Sequence, residues 1–573
     1  MKSNQTEPGE FMGLMHRIPR SMFLLPSIVL ACLAQSYAQT KQGSGPQQTP
    51  TIRVQTRLVL IPAEVTDAKG NRVADMKKED FVVLENGKRQ EIALFDHVVT
   101  KADVMKPADV APGVYTNTVQ QGGNRVTIFV LDLVNSKIEE QREARKQLLD
   151  FLSKSLDTQE PLCLIAINSK GAWLLHGFTT DPKVLLEALN KVKRERTEMD
   201  APARNPEEQI YRMVQGTNTK NAGEDSAMAA SRLSVLEMES TFQDAGAGER
   251  IRLTLLSMLE IANAFVGIPG RKSLIWATAG FPFDMGDSSA FQRSGALQSL
   301  GQQGLIPLYE QTWRTLEAAN IAVYPLDVSE LVNPGYVGAG IGIPLPRHVM
   351  LDMHVANLEN FANMTGGKFC TRNMDASKCF KEAASDSSDY YLLGIYDKSG
   401  TEKPGWRKLS VRSMRSDVQI RARSGYYLNS GAHDTPTDTK LMEMALFSPF
   451  AYTGLPLNVR LMDAAAGSKP GVKKVSFVYS IPPAAVRIDE ETGNQLKLEF
   501  GAVARDSTGK MVGNFSKVVE GKMSETQTRQ VLEKGILFTG TMELASGEYS
   551  LSFAVMDKVN ENTGSVTAPL KVE

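Results

Sequence analysis

The stretch Val126–Lys137, VTIFVLDLVNSK, decides how the rest of the chain is read. From Val126 to Leu131 it is apolar or β-branched without alternation, which predicts a strand covered on both faces. Asp132 ends the run, and Asn135 and Ser136 follow where the next helix would begin. A carboxylate and a hydroxyl at the carboxyl end of such a strand have two readings. They can ligate a hard cation, which takes oxygen donors, or they can serve the helix start. For the second, Ser136 and Glu139 have the spacing of a capping box, Asn135 is another cap, and Asp132 sits beside the positive end of the helix dipole. All three polar residues are then explained without a metal.

Downstream of this stretch, buried strands alternate with helices. PLCLIAIN, AWLLHGF, KSLIWAT, IAVYPLD and DYYLLGIY read as strands; the segments around Leu148, PKVLLEALNKVKRE, 250–266, LYEQTWRTLEAA and VANLENFANM read as helices. That alternation predicts a mostly parallel sheet with helices on both faces, whose ligand sites lie at the carboxyl ends of strands. Residues 197–245 are polar and rich in Met and Ala and read as an insertion.

On either side the pattern changes to period two. TIRVQTRL alternates, and DFVVLENGKRQEIALF reads as a hairpin turning at Asn86-Gly87, a pair that accepts positive φ at both positions. A small β module is expected over 51–98, with linkers at 39–50 and 99–124. The α/β domain is expected over 125–428 and a linker over 429–440. In 441–573, segments such as YSLSFAVMD alternate between turns, which predicts an immunoglobulin- or fibronectin-like β-sandwich. The expected fold class is therefore a central α/β domain, Rossmann-like with a mostly parallel sheet, flanked by a small N-terminal all-β module and a C-terminal all-β sandwich.

Lys and Arg (64) nearly balance Asp and Glu (65), for a net charge of -1, so no basic footprint for nucleic acid exists. Lys2, Arg17 and Arg20 precede the apolar run MFLLPSIVLACLA, and SYA ending at Ala38 offers a cleavage site, so 1–38 reads as an export signal. The run is too short for a spanning helix, and no later segment qualifies. A periplasmic, surface-associated or secreted location is expected. Cys370 and Cys379 are expected to pair as a disulfide, valued by loop entropy at roughly 2 to 3 kcal/mol; Cys163 reads as a core thiol.

The segments RLVLIPAEVTDAKGNRVADMKKEDFVVLENGKRQEI, VTIFVLDLVNS, IPGRKSLIWATAGFP, SDYYLLGIYD and SGYYL together resemble the von Willebrand factor type A domain, and more closely the secreted von Willebrand factor A-related family common in Acidobacteria. The resemblance spans 51–428. It implies a metal-ion-dependent adhesion site holding Mg²⁺ or Mn²⁺, built from Asp-x-Ser-x-Ser, a threonine in a second loop and an aspartate in a turn after the fourth strand. Asp132 and Ser136 match the first and last positions, but Val134 stands at the middle Ser and Ala279 where the Asp belongs. Thr241 and Thr254 compete for the second loop. The resemblance thus implies a degenerate site and a non-enzymatic role in adhesion or recognition of a protein or envelope ligand. The alternative is adhesion through a weak Mg²⁺ or Mn²⁺ site at Asp132 and Ser136.

Other motifs point less far. GIPGRKS has Arg271 inside its Gly-Lys-Ser spacing and runs from helix to strand, the reverse of a phosphate-binding loop. His97, His176, His348, His354 and His433 are scattered, with neither HExxH nor GxSxG. Asp327 and Asp352 read as solvated loop carboxylates, and an unrecognised envelope enzyme is the remaining alternative. The recognition surface is expected in Asp132–Ser136, Ala279–Asp287 and Leu326–His348.

Overall fold

The computed structural model describes residues 57–100, 110–118, 126–154, 161–192, 248–281, 305–329, 358–371, 376–397, 405–428 and 437–573, the last without 487, 489–493 and 561. Outside them lie the expected export signal, the 39–50 linker, the 197–245 insertion, Thr241, His348, Asp352, His354 and His433.

Along the chain, β1 (Arg57–Asp67), β2 (Phe81–Glu85), β3 (Lys88–Gln90), β4 (Ile92–Val99) and β5 (Val114–Thr116) come first. Then follow β6 (Val126–Asp132), α1 (Ile138–Lys154), β7 (Leu162–Asn168), β8 (Gly171–Thr179), α2 (Pro182–Lys191), α3 over 248–265 and β9 (Lys272–Thr278). Next are α4 (Leu305–Ala318), β10 (Ile321–Asp327), α5 over 358–365, α6 (Ala376–Ser388), β11 (Asp389–Asp397), β12 (Gly405–Ser413), β13 (Val418–Ala422) and β14 (Gly425–Leu428). The last part holds α7 (Thr437–Phe447), β15 (Asn458–Leu461), β16 (Ala465–Ala466), β17 (Val472–Ile481), β18 (Gln495–Asp506), β19 (Met511–Lys522), α8 (Glu525–Lys534), β20 (Ile536–Ala545), β21 (Gly547–Asp557) and β22 (Asn562–Val572).

These strands form five sheets, mostly antiparallel; strands hold 47% of the described residues and helices 28%. The expected fold class is corrected accordingly: the chain is mostly β, not an α/β fold of the Rossmann type built around a parallel sheet. Among the described strands, β10 with β9, β9 with β6 and β6 with β7 pair parallel, and β8 closes that sheet antiparallel. DYYLLGIY was expected to continue this sheet. It is instead β11, antiparallel to β1 and β4.

The expectation of a separate module at 51–98 fails for the same reason. β1 alternates Val59, Ile61, Ala63 and Val65 toward a core, and it needs partners at both edges to satisfy its backbone. It finds β11 on one side and β13 on the other, while β2 pairs with β12. Two four-stranded sheets, β13-β1-β11-β4 and β14-β12-β2-β3, thus enclose one core from segments more than three hundred residues apart. The hairpin at Asn86-Gly87 is present, with φ of 47° and 81°.

The C-terminal strands make two more antiparallel sheets around a core of Phe477, Tyr479, Phe500 and Phe553. β5, inside the expected 99–124 linker, pairs with β15 in one of them, and α7 begins inside the expected 429–440 linker. No described helix is long and apolar enough to cross a membrane.

A buried ionic cluster joins the sheet β13-β1-β11-β4 to the parallel strands. Glu64 of β1 lies beside Arg421, its register partner on β13, and Arg271 Nη1 stands 2.9 Å from Glu64 Oε1. Asp386 of α6 is held by Arg72, Arg421 and the Tyr324 hydroxyl, which donates at 2.7 Å. Arg271, itself buried, also donates to Gly366 O at 2.6 Å. Burial and the charge of Asp386 push Glu64 up to about 8 against the pull of Arg271 and Arg421. Burial would raise Asp386 too, but Arg421, the hydrogen bond with Glu64, Arg271 and Arg72 together hold it below its usual range.

The two carboxylates therefore act in opposite directions. Folded Glu64 keeps its proton more tightly than the unfolded chain, so its contribution to stability falls as pH rises from about 4.5 to about 8. Asp386 contributes above the usual carboxylate range and loses that contribution in acid. Urea midpoints of the wild type are expected to decline between pH 5 and 9, and Glu64→Gln is expected to flatten that decline. An unchanged slope in the variant would refute the assignment.

Candidate functional site

The carboxyl ends of β7, β6, β9 and β10 lie side by side, placing Asn168, Asp132, Thr278 and Asp327 along one edge. Each parallel strand is apolar along its length because helices cover both faces: α3, α4 and α5 on one, α1, α2 and α6 on the other. Polar side chains gather where the strands stop.

Asp132 is fully buried and every acceptor direction of its carboxylate is used. Oδ1 accepts from the N–H groups of Val134 and Asn135, each at 2.9 Å. Oδ2 accepts from Asn135 Nδ2 at 2.9 Å and from Trp276 Nε1 at 3.0 Å. Thr278 Oγ1 is a further neighbour, 3.0 Å from Oδ2 and 2.9 Å from Gly280 O, and its one proton serves either. A carboxylate offers about four lone-pair sites, and the four N–H groups fill them. Burial raises the Asp132 pKa, opposed by the hydrogen bonds from Asn135, Thr278 and Val134.

Ser136 does not cap α1 as its spacing with Glu139 suggested. Its hydroxyl accepts the Ala279 N–H at 3.2 Å, which ties the start of α1 to the turn after β9. The helix is instead entered one residue later: Lys137 O accepts the first helical hydrogen bond, from Gln141 N, and the Glu140 carboxylate accepts the Lys137 N–H at 2.7 Å. Gln141 Nε2 then donates to Leu133 O and Ser136 O, holding the connecting loop.

These contacts test the residues against the cation that a type A site would hold. Asp132 has no lone pair to spare, the Ser136 oxygen already accepts a backbone N–H, and Val134 and Ala279 bring no side-chain oxygen. The set does not fit Mg²⁺ or Mn²⁺, which need oxygens turned toward the ion. Among the described residues, no group of three or more His, Cys, Asp or Glu is placed to share a metal.

Two partners of Asp132 escaped the sequence reading, and a third residue, Thr254, is one of the two threonines that reading offered for the second loop. Trp276 and Thr278 reach Asp132 because β9 runs parallel to β6 with Val130 opposite Trp276, so their alternate residues share a face. The polar Thr278 at the end of an apolar strand was the available signal. Thr254 lies within α3, where its hydroxyl accepts from Asn135 Nδ2 at 2.8 Å and donates to Arg250 O.

Asp327, expected in solvent, is buried and accepts the Ser329 N–H at 2.9 Å. Its own N–H bonds Cys370 O, and Cys370 is joined to Cys379 by a disulfide with Cα atoms 5.9 Å apart, so α6 is tied to the end of β10. Cys163 is buried, and burial pushes its thiol well up. In GIPGRKS, α3 has already ended at 265, Gly270 turns the chain toward β9 with a φ of 84°, Lys272 Nζ donates to Ile268 O and Gly270 O, and Ser273 donates to Ala383 O. His97 stacks on Tyr391 and lies 2.8 Å from Asp389 Oδ1, while His176 bonds Gly177 O, well apart in the chain's sheets.

No family model matches the chain, and no curated protein matches it.

Replacing Asp132 with Ala strands at least three buried N–H groups, and at about 1 to 3 kcal/mol for each unmet donor the loss is roughly 3 to 5 kcal/mol. Ser136→Ala, which removes one acceptor, is expected to cost about 1 kcal/mol. Urea unfolding of both variants checks this order; an Asp132→Ala protein as stable as wild type would contradict it.

Proposed function

We propose that this chain is an exported, non-enzymatic interaction or adhesion protein that recognises its partner through the segments leaving the carboxyl edge of the parallel strands. The observation that carries the reading is the internal use of Asp132 and Ser136. Their oxygens hold the ends of β6 and β9 and the start of α1 in register, which gives the segments 279–304 and 328–357 a fixed base. Recognition usually resides in loops mounted on such a scaffold.

Export is supported by the basic, apolar and small-residue succession of 1–38 and by the Cys370–Cys379 disulfide, which persists in oxidising compartments. The resemblance to adhesive type A domains supports recognition of a protein or envelope ligand, and the saturated carboxylate supports recognition without a metal.

The test is a pull-down from envelope extract with the whole mature chain, a chain shortened within 279–304 or 328–357, and the whole chain in the presence of a chelator. The whole chain is expected to retain proteins that the shortened chains lose, with or without chelator. Identical capture by all three would remove the loops from the reading; loss of capture with chelator alone would restore a metal-dependent mode.

A further inference from the structure

At the far end of the C-terminal sheets, α8 joins β19 to β20 and closes one side of a groove of about 540 Å³. The helix is well terminated: Ser524 and Gln527 form a capping box, and Gly535, with a φ of 74°, bonds back to Val531 O. Yet none of its residues is buried. Toward the groove it presents Gln527, Gln530, Val531 and Lys534.

The groove has an apolar floor and a cationic rim. Leu496, Val519, Met523, Val531, Ile536 and Leu537 line it, and Leu537 is 71% exposed. At the rim stand Lys522 and Lys534, neither with an ion-pair partner among the described residues, and Lys534 additionally complements the C-terminal end of the helix dipole. The one acidic residue lining the groove, Glu520, is engaged by Lys497 at 3.1 Å. The volume lies in the range of small-ligand sites, which are mostly apolar with a few placed polar groups.

We infer that this groove binds a single-chain fatty acid, its acyl chain on the apolar floor under α8 and its carboxylate between Lys522 and Lys534. A neutral chain would leave the two lysines unmatched, and a short acid would leave the floor unfilled. The site is separate from the Asp132 edge and stands or falls independently of the recognition role proposed there.

Calorimetric titration of the full chain with sodium dodecanoate, kept below its micellar range, tests the assignment against hexanoate and dodecanol. One dodecanoate per chain is expected. Hexanoate, shorter by six methylenes, is expected to bind weaker by on the order of a hundredfold or more. Lys522→Gln with Lys534→Gln is expected to weaken dodecanoate by about fivefold, the scale of exposed ion pairs, and to leave dodecanol unchanged. Leu537→Glu, at a position 71% exposed, is expected to abolish dodecanoate binding. Absence of dodecanoate binding, binding indifferent to Leu537→Glu, or equal loss of dodecanol in the double-lysine variant would each overturn it. Concentration-dependent dimerisation abolished by Leu537→Glu, without dodecanoate binding, would assign the groove to a second copy and also overturn it.

Discussion

Glu64 lies where three parts of the chain must agree. It belongs to β1, pairs with Arg421 across the β1–β13 ladder, meets Arg271 at the entry to β9, and shares its neighbourhood with Asp386 on α6. Removing one member would leave an uncompensated charge away from water, which is the expensive case, whereas an intact buried network adds little net stability over a well-packed apolar one. The account that fits these contacts is that the cluster fixes alignment: the antiparallel sheets can sit on the parallel strands in only one register if every guanidinium is to find a carboxylate.

The local patterns were legible wherever the deciding contacts are local. Asn86-Gly87 announces its hairpin because the turn's positive φ values are a property of those two residues. The unbroken apolar run of β6 announces a strand covered on both faces. Pairing is a different matter. β11 is as apolar as β10, and nothing within DYYLLGIY says that its neighbours are β1 and β4 instead of the strand before it. That choice belongs to the alternation of Val59, Ile61 and Ala63 more than three hundred residues upstream, and the fold-class expectation failed there.

The ionic cluster was hidden for a related reason. Glu64 stands on the face of β1 opposite Val59, Ile61, Ala63 and Val65, where a strand with one wet face would place a glutamate. Its burial comes from residues 271, 386 and 421, which no window of sequence contains. Asp327 was misread similarly: a carboxylate after a strand looks solvated until Cys370, Cys379 and the Ser329 N–H are seen around it.

At Asp132 the sequence named the residue and mistook its company. The capping box at Ser136 and Glu139 satisfied every spacing rule, yet the Ser136 oxygen turned to Ala279, because a backbone N–H at the end of β9 needed an acceptor and Glu140 was already able to serve the Lys137 N–H. Val134 and Ala279, the two positions where a cation site would want an oxygen, contribute main-chain N–H groups to Asp132 and Ser136. The chemistry of the edge is thereby reversed. The oxygens of Asp132 and Ser136 that would face an ion are here met by N–H donors, while Asn135 Oδ1 beside them is buried without a partner. Asp132, Val134, Ser136 and Ala279 thus serve as the joint between two strands and a helix.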